Sequence, residues 1–168
     1  MASDILPYAE QFLSVLDYQY LRDTAGRLEG LLEDCMREAP DHGLCHADLV
    51  LSNLRSHPER GVTFFDFGNA ARTWRVLDIA VVYLSAVRTS GQDGTEVLSP
   101  MKEGYSRIRA LPDDFDRMFM LMQILRWLTW IGGNAASLPL RRGIEPFAGN
   151  LLVRPVRLIR EMMEQLAV

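Results

Sequence analysis

Apolar residues recur at helical spacing along most of this chain. Between residues 8 and 38, polar and charged side chains fall largely between the apolar positions Leu21, Leu28, Leu31 and Leu32. This period predicts helix over 8–38, in one or two pieces. The same reasoning predicts four later helices, over 78–87, 97–109, 112–130 and 146–167. We expect the glycines at 132 and 133 to end the third of these.

One stretch departs from the helical pattern. Residues 44–53 neither alternate nor follow a helical period, as is typical of a loop held against a core. Residues 53–56 and 61–66 predict two short strands, because β-branched and aromatic residues dominate the second and a Pro- and Gly-containing turn separates them. The predicted fold class is therefore mainly α (α+β), with one small β-hairpin.

Length and composition predict a globular domain. The chain has 168 residues, of which 48% are hydrophobic and 24% charged, and this fits one domain over 1–168. Within it we expect leading helices over 1–41, a polar loop and hairpin over 42–68, and a helical subdomain over 69–168. The net charge is −4 and no Lys/Arg block occurs, so the basic surface that nucleic-acid binding needs is missing.

The chain is expected to be cytoplasmic and not to bind a membrane. Its two cysteines, Cys35 and Cys45, come without an export signal, which favours a reducing compartment. The longest apolar stretch, from Met118 to Ile131, is short for a membrane span and contains Gln123 and Arg126. It predicts a buried helix.

The candidate chemistry lies in five polar residues between positions 46 and 78: His46, Asp48, Asn53, Asp66 and Asp78. An Asp followed five residues later by an Asn, on a loop that enters a strand, can direct both side chains to one site. The Asp can accept a hydroxyl proton and the Asn oxygen can bind Mg²⁺. The hairpin returns the chain so that Asp66 can reach the same metal, which prefers oxygen ligands and few protein ones.

The motifs HADLVLSN, FFDFGNA and VLDIAVV resemble, in this order, three segments of the aminoglycoside phosphotransferase, choline kinase and homoserine kinase superfamily. The resemblance implies the helical C-terminal lobe of a protein-kinase-like fold, with the hairpin as its metal-binding element. It also implies ATP and Mg²⁺ as cofactors. Asp48 would be the catalytic base and Asn53 and Asp66 the metal ligands, while His46 would brace the loop and Asp78 would hold it from behind.

The resemblance implies transfer of the ATP γ-phosphoryl group to a hydroxyl of a small-molecule substrate. Two departures from the family pattern keep an alternative open. No Gly-rich loop or strand-borne Lys precedes His46, so the nucleotide-covering N-terminal lobe is expected to be absent. Arg55 stands where the family has an apolar residue beneath the adenine. The alternative is a non-catalytic remnant or interaction module of the same fold, and a third reading is an excised part of a longer kinase.

Other interpretations of the polar residues are weaker. Asp48 and Asn53 could merely cap turns, and Asp78 could be only a helix N-cap. A zinc site built from His42, Cys45, His46 and Asp48 is disfavoured, because the His-x-x-Cys-His spacing is unusual and no second cluster completes a tetrahedron. Since a lobe without its partner exposes apolar surface, we expect a homodimer or a separate N-lobe chain to cover the hairpin.

Overall fold

The computed structural model describes residues 4, 6–38, 41–91, 93–138 and 145–166. Five α-helices are described: α1 (Val15–Glu38), α2 (Val76–Ser90), α3 (Gly94–Ser106), α4 (Phe115–Ser137) and α5 (Glu145–Leu166). Four short strands are described: β1 (His42–Cys45), β2 (Leu54–His57), β3 (Gly61–Phe64) and β4 (Ala71–Trp74). Three 3₁₀ segments complete the described elements: Leu6–Phe12, Leu51–Asn53 and Phe67–Asn69.

The chain divides into two compact units, and α4 contributes residues to both. The first consists of Met1–Glu38 and Ile124–Val168. Its core contains fully buried apolar side chains from three helices, among them Leu21, Leu28, Ile131 and Ile159. An ion pair of 2.9 Å between Arg160 and Asp17 joins α5 to the start of α1. The expectation of one domain over 1–168 stays a prediction.

The second unit, Ala39–Gln123, carries all four strands. Strands β2 and β3 form an antiparallel hairpin in which Leu54 is opposite Phe64 and His57 is opposite Gly61. Gly61 has a φ of +74°, a conformation that glycine adopts without steric cost at the end of the turn. This is the hairpin that the sequence predicts.

Strands β1 and β4 form a second antiparallel pair, with His42 opposite Trp74 and Cys45 opposite Ala71. The predicted loop over 44–53 and helical subdomain over 69–168 are wrong where they overlap these two strands. The cause is that this pairing joins segments about 30 residues apart, and such pairing leaves no local period. Gly43 in β1 lies against the Arg75 side chain, and a Cβ atom at this position would overlap the guanidinium.

The fold is mainly α, as predicted, with small two-stranded sheets. The N-terminal helical region is in two pieces, Leu6–Phe12 and Val15–Glu38. The predicted end of α4 at the two glycines is wrong, since this helix continues to Ser137. Burial explains the continuation, because Ile131 and Ala135, on either side of the glycines, are both fully buried and packing outweighs the low helix propensity of glycine. No helix in the described ranges has the length and apolarity to span a bilayer.

Candidate active site

Phe65, which immediately precedes Asp66, is hydrogen-bonded to both ends of the polar loop. The His46 ring nitrogen Nε2 lies 2.8 Å from the Phe65 carbonyl oxygen. The Phe65 backbone N–H donates to the Asn53 carbonyl oxygen over 3.2 Å. The two ends of the loop that carries Asp48 and Asn53 therefore both contact Phe65, the residue next to Asp66. The β2–β3 hairpin makes this possible because it turns the chain back from Asn53 to Phe65.

Asp78 lies in the first turn of α2 and contacts the start of the loop. Its two carboxylate oxygens accept the backbone N–H groups of His46 and Ala47, each over 2.8 Å. Ala47 has a φ of +61°, which is uncommon for a residue with a Cβ atom. A carboxylate that accepts two adjacent N–H groups stabilises this conformation through charge-assisted hydrogen bonds.

The Asn53 side chain is buried and its orientation is defined. Its amide nitrogen donates to the Asp48 backbone oxygen over 2.9 Å. This bond identifies the other amide atom, Oδ1, as the one able to act as a metal ligand. The Asp48 carboxylate is half-buried, and the Asn69 amide nitrogen lies 3.5 Å from its oxygen Oδ2. Asn69 was not among the predicted site residues, although it lies three residues after Asp66 in the same motif.

Asp66 is exposed and has left-handed backbone angles, with φ of 64° and ψ of 59°. It precedes the 3₁₀ turn Phe67–Asn69 as its N-terminal flanking residue. Asp tolerates this region better than most residues, but the conformation still costs about 1–3 kcal/mol. Backbone strain of this kind concentrates at functional sites, so the geometry at Asp66 motivates a functional hypothesis for its carboxylate.

His46 is almost fully buried, and its ring packs against the Phe67 ring with centroids 4.6 Å apart. A carbonyl oxygen can only accept, so the bond to Phe65 requires the proton on Nε2. The other ring nitrogen, Nδ1, is buried and has no hydrogen-bond partner among the described residues. His46 therefore holds the loop, the hairpin exit and the Phe67 ring in one arrangement.

The residues of the rejected zinc interpretation are engaged in other contacts. The His42 ring packs against Trp74 at a centroid distance of 4.7 Å. The Cys45 thiol lies 3.5 Å from the Thr73 carbonyl oxygen. Burial raises the pKa of the Cys45 thiol, and the negative charge of Asp78 raises it further. A thiol in this state is a poor metal ligand and a poor nucleophile.

Within the described part of the chain, no three His, Cys, Asp or Glu side chains lie together as a metal-binding group. Such a group is not what Mg²⁺ requires beside a nucleotide, because phosphate and water oxygens complete its shell. The two candidate donors are the Asp66 carboxylate and the Asn53 amide oxygen, which the bond to Asp48 orients. These hard oxygen donors fit Mg²⁺ bound together with phosphates.

Comparison with known families decides the relationship. Residues 4–121 match the model of the phosphotransferase enzyme family. The chain belongs to this phosphotransferase family. The match covers more than half of the chain and includes the whole polar loop and the hairpin, and it confirms the resemblance drawn from the motifs.

This phosphotransferase-family chain also matches one curated relative. An uncharacterized protein of Deinococcus radiodurans is 41% identical over 63 residues, which are 38% of this chain and 18% of the relative. The matched segment thus spans less than a fifth of that protein. No solved structure matches the chain.

Proposed function

We propose that this chain is the metal- and phosphate-handling lobe of an ATP-dependent phosphotransferase that acts on a hydroxyl of a small molecule. The observation that carries the proposal is the hydrogen bonding around Phe65. Through it the backbone immediately before Asp66 is bonded to His46 at one end of the loop and to Asn53 at the other. Family membership supports the reaction class.

In the proposed reaction, an acceptor hydroxyl oxygen forms a bond to the γ-phosphorus as the bond to the β,γ-bridging oxygen breaks and ADP leaves. The Asp48 carboxylate accepts the hydroxyl proton. Asn69, beside Asp48 Oδ2, limits the orientations of this carboxylate. Most of the catalysis in such transfers comes from positioning and charge neutralisation, so the rigidity of the loop matters more than any single proton transfer.

Mg²⁺ would supply charge neutralisation at the transferring phosphoryl group when bound. Asn53 and Asp66 are the residues proposed to hold it. The Asn53 amide is oriented by its bond to the Asp48 carbonyl oxygen, and the Asp66 backbone is bonded through the adjacent Phe65. His46 and Asp78 serve as supporting residues that fix the loop from two sides.

The hairpin is the proposed contact surface for a nucleotide-covering lobe. Val62, Phe64 and Phe67 are each about half exposed, although side chains of this size favour burial. We propose that a separate N-lobe chain or a second copy of this chain covers them. The isolated chain would then bind ATP weakly, because the nucleotide would lack the contacts that an N-lobe supplies. Light scattering that shows a monomer at all concentrations would contradict the dimer.

A second candidate is a non-catalytic module of the same fold. It is favoured by Arg55, whose guanidinium lies over the Phe65 ring at 5.1 Å from the centroid, at the position where the family has an apolar residue beneath the adenine. A guanidinium held in this cation–π contact places a charge where the resemblance implies an apolar side chain.

Phosphoryl transfer from radiolabelled ATP to a panel of small alcohols distinguishes the two candidates, with the N-lobe supplied and without it. With the N-lobe supplied, we expect Mg²⁺-dependent transfer by the wild-type chain and a loss of at least about a hundredfold in Asp48→Ala, since general-base catalysis contributes 10²–10⁴-fold. The matched control is Asp113→Ala, which removes an exposed carboxylate from the segment before α4. Equal transfer by Asp48→Ala and Asp113→Ala would remove Asp48 from the chemistry. Absence of transfer by the wild type under both conditions would favour the non-catalytic module.

A further inference from the structure

Two polar side chains on one face of α2 are hydrogen-bonded to the backbone of the polar loop, residues 46–53. Asp78 and Ser85 are seven residues apart, which is two helical turns, so both lie on the same side of the helix. Asp78 accepts the N–H groups of His46 and Ala47 at the start of the loop. The Ser85 hydroxyl oxygen accepts the N–H of Leu51 near its end, over 3.0 Å.

Ser85 is a buried polar residue on a helix whose other buried residues are apolar. It is 6% exposed, and its helix also buries Ile79, Ala80 and Val81. A hydroxyl group at a buried helix position is unfavourable unless it has a hydrogen-bond partner. The partner here is a backbone amide 34 residues away in sequence, so helix formation alone gives no reason for a serine at this place.

Leu51 opens the 3₁₀ turn Leu51–Asn53, and the first N–H groups of a helical turn have no partner within that turn. Ser85 supplies the missing acceptor from α2. The same turn carries Asn53, whose amide nitrogen bonds the Asp48 carbonyl oxygen. The position of the turn relative to α2 therefore sets where the Asn53 oxygen lies relative to Asp48.

We propose that Ser85 is a positioning residue that holds the Leu51–Asn53 turn, and through it the metal-binding oxygen of Asn53, in register with Asp48. This inference rests on the proposed phosphotransferase function. Ser85 contacts neither the reacting atoms nor the proton in this role. It acts through the Leu51 amide, and its loss shifts the Asn53 oxygen rather than removing a chemical group.

Loss of the Ser85 hydrogen bond should weaken Mg²⁺ binding without changing the binding of the acceptor alcohol. Displacement of one Mg²⁺ ligand weakens metal binding in the ATP complex, and a small misplacement of catalytic groups can lower the rate by up to about a hundredfold. The acceptor alcohol does not contact the turn in this scheme. We therefore expect the Mg²⁺ concentration for half-maximal rate to rise and kcat to fall, while KM for the alcohol stays constant.

The test uses the whole chain, with the N-lobe supplied, carrying Ser85→Ala, Ser85→Cys or Ser85→Thr. Ser85→Cys nearly preserves the side-chain volume with a weak acceptor, and Ser85→Thr keeps the hydroxyl. The matched control is Ser90→Ala on the same helix, where the exposed hydroxyl donates to the Ala86 carbonyl oxygen. The measurements are phosphoryl transfer as a function of Mg²⁺ concentration, hydrogen exchange of the Leu51 amide by NMR, and thermal unfolding.

We expect Ser85→Ala and Ser85→Cys to lower kcat on the order of tenfold, to raise the Mg²⁺ requirement, and to expose the Leu51 amide to exchange. Ser85→Thr restores all three, and Ser90→Ala changes none of them. If threonine does not fit and Ser85→Thr unfolds, agreement between the alanine and cysteine variants decides the matter.

Two outcomes overturn the inference in different ways. If the wild type transfers phosphate and Ser85→Cys does so with the same Mg²⁺ dependence, Ser85 is not a positioning residue although the proposed function stands. A fall in thermal stability without a change in the Mg²⁺ requirement leads to the same conclusion. A wild-type chain that transfers no phosphate even with the N-lobe supplied removes the proposed function, and the inference falls with it.

Discussion

Replacement of Asp78 tests whether its carboxylate stabilises the conformation of the polar loop. Asp78→Ala removes the carboxylate that accepts the N–H groups of His46 and Ala47, both over 2.8 Å. Each hydrogen bond to a charged group contributes about 1.5–3 kcal/mol, and partial solvent access places these two near the lower value. We expect a loss of about 2–4 kcal/mol in the free energy of unfolding. Asp78→Asn should lose less, because it keeps one acceptor oxygen.

The assay must report the unit that contains Asp78. The chain has three tryptophans, and Trp74 lies in the same unit, in strand β4. Replacement of Trp127 and Trp130 by Phe leaves Trp74 as the fluorescent reporter during urea unfolding. The control is Asp113→Ala, an exposed carboxylate whose loss should change stability by less than about 0.5 kcal/mol. If Asp78→Ala were as stable as this control, the two hydrogen bonds would not determine the loop conformation.

Three further predictions concern the scaffold. Gly43→Ala places a Cβ atom against the Arg75 guanidinium, which must move and disturb its 2.6 Å ion pair with Asp41, so urea unfolding should show a loss of at most about 1 kcal/mol that is absent in an Arg75→Ala background. Gly133→Ala should stabilise α4 by about 0.4–1 kcal/mol in thermal unfolding, since an added Cβ meets no atom within 4 Å. Burial raises the pKa of the Cys45 thiol above its ordinary value of 9.0. The folded state therefore keeps this proton at pH values where the unfolded state loses it. The contribution of the protonated thiol to the free energy of unfolding is complete below pH 9.0 and should be lost as pH rises through the folded pKa. The stability of Cys45→Ala should not show this fall with pH.

The hairpin and most of the helices follow from local patterns, because a turn with Pro and Gly or an apolar period acts over a few residues. The β1–β4 sheet does not, since its register depends on pairing between distant segments such as His42 and Trp74. The continuation of α4 through two glycines likewise depends on tertiary burial, which the glycines themselves do not reveal.

Only part of the candidate site could be predicted, because some of its residues are recognised only through contacts with distant segments. Asp48, Asn53 and Asp66 were selected because their types and spacing match a known chemistry. Ser85 was not selected, since a serine in an apolar helix has no meaning until its partner, the Leu51 amide, is known. Asn69 was missed because no chemical rule requires an amide three residues after a metal-binding Asp. Residues that act through backbone groups leave little signal in a single sequence.

We propose that Asn53 and Asp66 bind the metal of a metal–ATP complex beside Asp48. The most direct measurement is an NMR titration of the labelled chain with ATP and Mn²⁺, because a paramagnetic ion broadens the amide signals nearest to it even when binding is weak. We expect the signals of residues 48–53 and 66–68 to broaden first and only when ATP is present. Asp66→Asn should abolish this broadening, whereas Asp113→Asn should not. Broadening that begins elsewhere, or that persists in Asp66→Asn, would contradict metal binding by Asn53 and Asp66.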